Sequence, residues 1–185
     1  MFSAEALNEE KQRLFVAARS GISLPAAGAV YWIALGIAGL YLPPGAWCLT
    51  AFVTSGLIFP LGILLSRPLG ANLFVESPLS DLLLPALIPV GLSYAVTIPA
   101  FFTDTSLVPL ALAVGMGIHW PTIGWLYGRP EFLVHALVRV AVVVTIWFAA
   151  PSAVFTALLL SVGFVYLATF VLLLVQVRRA ESRAA

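Results

Sequence analysis

Six apolar runs, separated by short polar or proline- and glycine-bearing breaks, occupy most of the chain. They cover residues 22–42, 46–65, 79–102, 107–127, 132–150 and 153–177. An α-helix rises about 1.5 Å per residue, so about 20 such residues cross roughly 30 Å of hydrocarbon. Each run therefore predicts a spanning helix. Pro43-Pro44-Gly45, Ser66-Arg67-Pro68, Gly128-Arg129-Pro130 and Pro151-Ser152 are breakers, and Thr103-Asp104-Thr105-Ser106 is a polar turn. A longer polar stretch with Asn72, Glu76 and Pro78 follows the second run. The pattern predicts an all-α transmembrane bundle of six helices.

Residues 1–21 read differently. Glu5, Glu9 and Glu10 come first and Lys11, Arg13 and Arg19 follow, an order that suits the dipole of a short helix starting near Ser3. Leu7, Leu14, Phe15 and Ala18 form its apolar side, which predicts an amphipathic helix lying on the inner leaflet. The charges stand where a signal peptide would carry its apolar core, so this segment is expected to be retained. The division is then an N-terminal helix (1–21), a transmembrane domain (22–177) and a basic tail (178–185).

Composition agrees with lipid as the main solvent. Hydrophobic residues make up 62% and charged residues only 9%, with a mean hydropathy of +1.07; a soluble domain carries about 25% charged residues. A length of 185 suits one membrane domain. A net charge of +1 gives no electrostatic footprint for nucleic acid. Cys48 stands alone, which excludes an intramolecular disulfide and a cysteine-based metal site. It is expected as a small core residue, an intermolecular disulfide being the other reading.

Charge also predicts the threading. Lys11, Arg13 and Arg19 precede the first run, Arg67 lies between the second and third, and Arg129 between the fourth and fifth. Arg178, Arg179 and Arg183 follow the sixth, while the other three loops hold no Lys or Arg. All loop-borne positive charge is thus on one side, which the positive-inside rule makes cytoplasmic, together with both termini. Tyr41, Trp47, Phe101, Phe102 and Trp147 would mark the outer interface, and Trp125 and Tyr127 the inner one.

Polar groups inside hydrocarbon are costly and mark candidate chemistry. Arg139 lies seven residues into the fifth run, about 10 Å deep. His135 and Glu131 follow one and two turns below it, on the same face at i, i+4, i+8 spacing. His119, on the antiparallel fourth run beside Trp120, reaches a similar depth to Arg139. Asp81 and, more loosely, Glu76 stand at the cytoplasmic start of the third run. The outer half of every run lacks acidic, basic and histidine side chains. These positions predict a polar vestibule open to the cytoplasm, lined by Asp81, His119, Trp120, Glu131, His135 and Arg139, for a small anionic or zwitterionic ligand.

A plainer role is available to each group. Arg139 could pair with Asp81 or Glu131, or snorkel to the headgroups; the histidines could satisfy backbone groups freed by proline. Pro60, Pro85, Pro89, Pro99 and Pro121 are expected to interrupt the second to fourth runs. Two histidines with carboxylates lack the tight spacing of a metal or haem site, and neither a phosphate loop nor a nucleophile elbow is present, so no cofactor is expected. Phe59-Pro60 with Arg67-Pro68 is echoed by Trp120-Pro121 with Arg129-Pro130, a candidate relic of a repeated hairpin. The sixth run, without charge or interior proline, reads as a lipid-facing or subunit-facing wall. Gly124 and Gly128 have the GxxxG spacing of close helix contact.

Trp32, the Gly56-Leu57-Ile58-Phe59-Pro60 stretch, Asn72, His119-Trp120-Pro121 and Gly124-Trp125-Leu126-Tyr127 give the chain a further signature. With these motifs it resembles a family of uncharacterised bacterial multi-pass membrane proteins. The resemblance implies a bacterial inner-membrane protein with no assigned reaction, and it carries over no catalytic residue. Three functional classes stay open. The chain is a ligand-binding or transporting protein, a non-catalytic sensor or complex subunit, or a membrane-embedded enzyme acting on a lipid or quinone, the last being the weakest reading. Membrane lipid, a small-molecule ligand and a second copy of the chain are the candidate partners.

Overall fold

The computed structural model describes residues 3–184, the last two by their backbone alone, so the Arg183 side chain of the basic tail lies outside the described residues. Helix α1 spans Ala4–Ala17. It is followed by α2 (Arg19–Ala38), α3 (Pro44–Leu69), α4 (Ser80–Thr103), α5 (Leu107–Tyr127), α6 (Glu131–Ala149) and α7 (Ala157–Ala184). Six of them, α2 to α7, are long and apolar enough to cross a membrane, and the described residues contain no strand. The all-α bundle expected from the sequence is the architecture of this multi-pass membrane protein. Its outer surface is hydrocarbon: Val53, Leu84, Val96, Phe102 and Phe148 stand exposed. Such a belt is stable only where lipid replaces water.

Helices α2 and α5 are the most buried, and α2 lies between α7 and α3. The α2–α7 approach is close because glycine lines it. A Cβ added at Gly36 would lie 3.0 Å from the Leu160 backbone nitrogen, and one at Gly163 would lie 2.5 Å from Ile33 Cγ1. Without a hydrophobic driving force between helices in lipid, such small residues let dispersion contacts hold them together. Helix α7 is therefore not the peripheral wall expected from its sequence. It buries Leu158, Leu159, Val162, Tyr166, Thr169 and Leu173 against its neighbours. Trp47, expected at the outer interface, is likewise fully buried and donates its indole N–H to the Leu35 carbonyl at 2.9 Å. Cys48 is a buried core residue.

Proline sets the irregular points. Pro121 has no N–H to offer the Gly117 carbonyl, which accepts instead from Trp120 N at 3.2 Å. Residues 116–119 become a turn that splits α5. In α3 a 3₁₀ turn at Ser55–Leu57 likewise precedes Pro60. The feet of α3 and α5 both end on a left-handed glycine, Gly70 (φ 62°) and Gly128 (φ 61°), so the sequence echo extends to the backbone.

The segments that carry most of the Lys and Arg side chains meet at one end of the bundle, under α1. Ser3 caps α1 by accepting from Ala6 N at 3.1 Å. Its apolar side, expected against lipid, is turned onto the protein, with Leu14 and Phe15 buried. Charged groups fasten it: Lys11 Nζ sits 3.7 Å from the Trp125 ring centroid, the Arg129 guanidinium 3.6 Å from that of Phe15, and Arg129 donates to Gln12. Arg19 ties α2 to the Leu69 carbonyl at 2.6 Å and to Glu181 at 3.0 Å.

Glu10 closes this end against the 70–79 loop. It accepts from Arg13 at 2.6 and 2.7 Å and from Ser77 at 2.6 Å, while Arg13 also donates to the Glu76 carbonyl. These donors, Arg13 first, pull the Glu10 carboxyl from 4.5 down to about 2. A lowered folded-state pKa stabilises at any pH above the unfolded value and is lost as pH falls through the folded one. The protection of the α1 amides, taken relative to the intrinsic exchange rate at each pH, should thus fall as pH drops from about 4.5 to about 2. Glu10→Gln should show the lowered protection throughout that range; a variant with the wild-type pH profile would refute the latch.

Candidate functional site

Glu131, His135 and Arg139 do share one face of α6, as their spacing requires, and that face is turned onto α7. Because α7 runs antiparallel, its residues meet them in reverse order. Glu131 Oε1 accepts from Gln176, His135 Nδ1 meets Thr169 Oγ1 at 2.8 Å, and Arg139 Nη1 donates to the Tyr166 hydroxyl at 2.9 Å. The result is a three-rung polar ladder between two largely apolar helices, climbing about 12 Å from the basic end.

The top rung is the most deeply buried. The Arg139 side chain is fully buried, and Tyr166 and Trp32 are nearly or wholly so. The guanidinium carbon lies 5.0 Å from the Trp32 ring centroid and 5.2 Å from that of Tyr166, within reach of both π faces. Trp120 closes the group by donating its indole N–H to the same Tyr166 hydroxyl at 3.1 Å, and its ring stacks on Phe132. Two glycines make the space. A Cβ at Gly28 would lie 2.3 Å from Tyr166 Cε1, and one at Gly117, in the α5 turn, 3.3 Å from Arg139 Nη1.

Hydrogen-bond counting fixes one tautomer. Thr169 has a single hydroxyl hydrogen and gives it to the Val165 carbonyl at 2.9 Å, so His135 Nδ1 must be the donor to Thr169. In the neutral ring Nε2 then carries a lone pair, and it is buried without a partner among the described residues. His119 Nδ1, Trp32 Nε1, and Arg139 Nε and Nη2 are in the same condition. His119 ends the α5 turn and packs on Trp120, with ring centroids 4.6 Å apart.

The structure thus brings Arg139, His135 and Trp120 together, with His119 against Trp120, and leaves two expected members out. Asp81 stands exposed in a 3₁₀ turn, and Glu131 is engaged by Gln176 lower down. Neither carboxylate meets Arg139. The arginine does not snorkel either, since its guanidinium is sealed. The expected open vestibule is, at Arg139, an enclosed centre. Tyr166, Thr169, Gln176 and Trp32 are the members that sequence reasoning passed over. Their signal was present: 166, 169 and 176 are spaced three and seven apart, one polar stripe on an apolar helix.

The model of a family of unknown function, DUF7010, matches residues 7–176. No curated protein matches the chain, and no solved structure does. The match covers nearly the whole chain, reaching every helix of the bundle and taking in all the residues of the polar ladder. On that span the chain belongs to the DUF7010 family, a family of unknown function.

Proposed function

We propose that this is a multi-pass protein of the bacterial inner membrane, threaded with both termini cytoplasmic, that binds a small anionic or zwitterionic ligand at Arg139. One observation carries the reading. A fully buried guanidinium has two nitrogens without a partner and, among the described residues, no carboxylate opposite it. Taking such an ion out of water costs several kcal/mol even after relaxation, and an anion is the partner that would offset the cost. The threading rests on the clustering of basic segments at the α1 end. Apolar packing through the opposite half favours a binding centre entered from the basic end. A second reading, a sensor or complex subunit whose ladder only joins α6 to α7, is favoured by the Glu131–Gln176 and His135–Thr169 pairs, which form between the two helices without any ligand.

Thermal unfolding of the detergent-purified protein in chloride, acetate or inorganic phosphate at constant ionic strength separates the two. At least one anion should raise the Tm of the wild type and of Arg67→Gln, and leave Arg139→Gln unmoved. Equal responses of wild type and Arg139→Gln, or none in the wild type, would overturn the reading. Arg139→Met adds a second expectation. It replaces a buried ion by an apolar chain of similar reach, so without added anion its Tm should match or exceed that of the wild type. A helix-joining role requires a fall instead.

A further inference from the structure

The free donors around Arg139 are arranged with a definite shape. We infer that the centre is built for an oxyanion that presents two oxygens on one central atom, a carboxylate or a phosphate group, held two-pronged by the Nε–Nη2 edge of Arg139 in preference to a halide ion. This rests on the reading of the site as an anion site and names the class of anion. In a guanidinium, Nη1 lies on the same side as Cδ, and the Nε–H and one Nη2–H point in parallel along the opposite edge. Both Nη1 and Cδ of Arg139 face Gly117, at 3.3 and 3.4 Å from a Cβ built there. Nη1 is the nitrogen that Tyr166 holds. Nε and Nη2 are the two buried nitrogens without a partner. The protein therefore occupies one side of the guanidinium and leaves the fork whole. Two parallel N–H groups match two oxygens on one carbon or phosphorus, whereas a single round ion uses the same edge without that geometric match.

The neighbouring groups add donors. The Tyr166 hydroxyl accepts from Arg139 and from Trp120, so its own hydrogen is left over, and it finds no acceptor among the described residues. Trp32 Nε1 is buried and unpartnered beside the guanidinium. A centre with surplus N–H and O–H groups at the arginine calls for an acceptor with several lone pairs. An oxyanion could arrive free from water or on a lipid headgroup. Trp32, Trp120 and Tyr166 are almost fully buried around the guanidinium, and a lipid tail would have to cross that wall. The small free oxyanion is the form that fits.

The experiment measures binding of acetate, inorganic phosphate and chloride to the purified full chain, and of phosphatidylglycerol supplied in nanodiscs, to wild type and Arg139→Lys. Lysine keeps the charge and loses the fork. Acetate or phosphate should bind wild type about tenfold or more tightly than chloride. Arg139→Lys should lose that preference while its chloride affinity stays within about twofold. In ¹⁵N-arginine-labelled wild type, the slowly exchanging Nε–H of the buried arginine should shift on adding acetate and move far less on adding chloride at the same concentration, a readout that needs no variant to fold. Chloride binding as tightly as acetate, or moving the same resonance equally, would overturn the fork and leave an unselective anion site. Binding confined to phosphatidylglycerol would overturn the free-oxyanion form. Silence from every probe would overturn the anion reading beneath it.

Discussion

Tyr166→Phe should destabilise the protein by about 3 kcal/mol, read as a fall in Tm or as unfolding at lower denaturant in detergent. The substitution removes one oxygen atom and nothing else. The ring stays, and with it the packing on His135, whose ring centroid is 4.6 Å away, and on Trp120 at 5.7 Å. Two donors lose their acceptor at once: Trp120 Nε1 and Arg139 Nη1. The second loss is the heavier. Tyr166 is the acceptor this guanidinium has among the described residues, and a buried charge left unpaired costs more than a neutral group left unpaired.

The size of the effect should depend on the arginine. In an Arg139→Met background the same tyrosine change orphans only an indole N–H, and the cost should fall to about 1 kcal/mol. The double-mutant cycle would then return a coupling near 2 kcal/mol. Additive costs, with Tyr166→Phe equally damaging in both backgrounds, would mean that the hydroxyl matters for Trp120 alone and that Arg139 draws its stabilisation elsewhere. Thr169→Val is the internal comparison. It strands one neutral N–H on His135, so it should cost less than half as much as Tyr166→Phe.

How much of this centre was readable beforehand follows from which forces act within one helix and which act between helices. Lipid selects composition along the whole length of a span, so the six helices stand out in the sequence, and α5 begins and ends where its apolar run does. Edges drift where a helix carries polar residues past the hydrocarbon. Thus α3 runs on through Arg67 and Pro68, and α7 through Arg178 and Arg179. The α6 face of Glu131, His135 and Arg139 was also legible, being a matter of spacing. What that face meets was not. A charge is conspicuous in an apolar run, and a search guided by charge goes to Asp81 and Glu131, yet the partner is a neutral tyrosine on the helix that looked blandest. The burial of Trp47 was hidden for the same reason. An aromatic residue near the end of a run fits an interfacial belt as well as it fits the Leu35 carbonyl. Only the packing of α2 on its neighbours decides between them.

Gly28 is where that packing and the centre meet, and Gly28→Ala should be strongly damaging for a single added methyl. The new Cβ would lie 2.3, 2.4 and 2.9 Å from three atoms of the Tyr166 ring, closer than real atoms approach. Either α2 backs away from α7, losing the contacts at Gly36 and Gly163, or the ring moves. The ring is hemmed by His135 and Trp120, and its hydroxyl is held by two donors. Overpacking of this kind costs about 1–3 kcal/mol, and here the shift also withdraws the oxygen from Arg139, which places the expected loss at about 3 kcal/mol. Gly45→Ala, where an added methyl meets nothing within 4 Å, should stay within about 0.5 kcal/mol of wild type. Trimming the ring tests the cause. If the clash is with Tyr166, Gly28→Ala should cost far less in a Tyr166→Leu background than in the wild type, and the anion-dependent rise in Tm should vanish in Gly28→Ala alone. A Gly28→Ala protein that is as stable as wild type and still responds to anions would show that α2 and α7 are not in the close contact on which the centre depends.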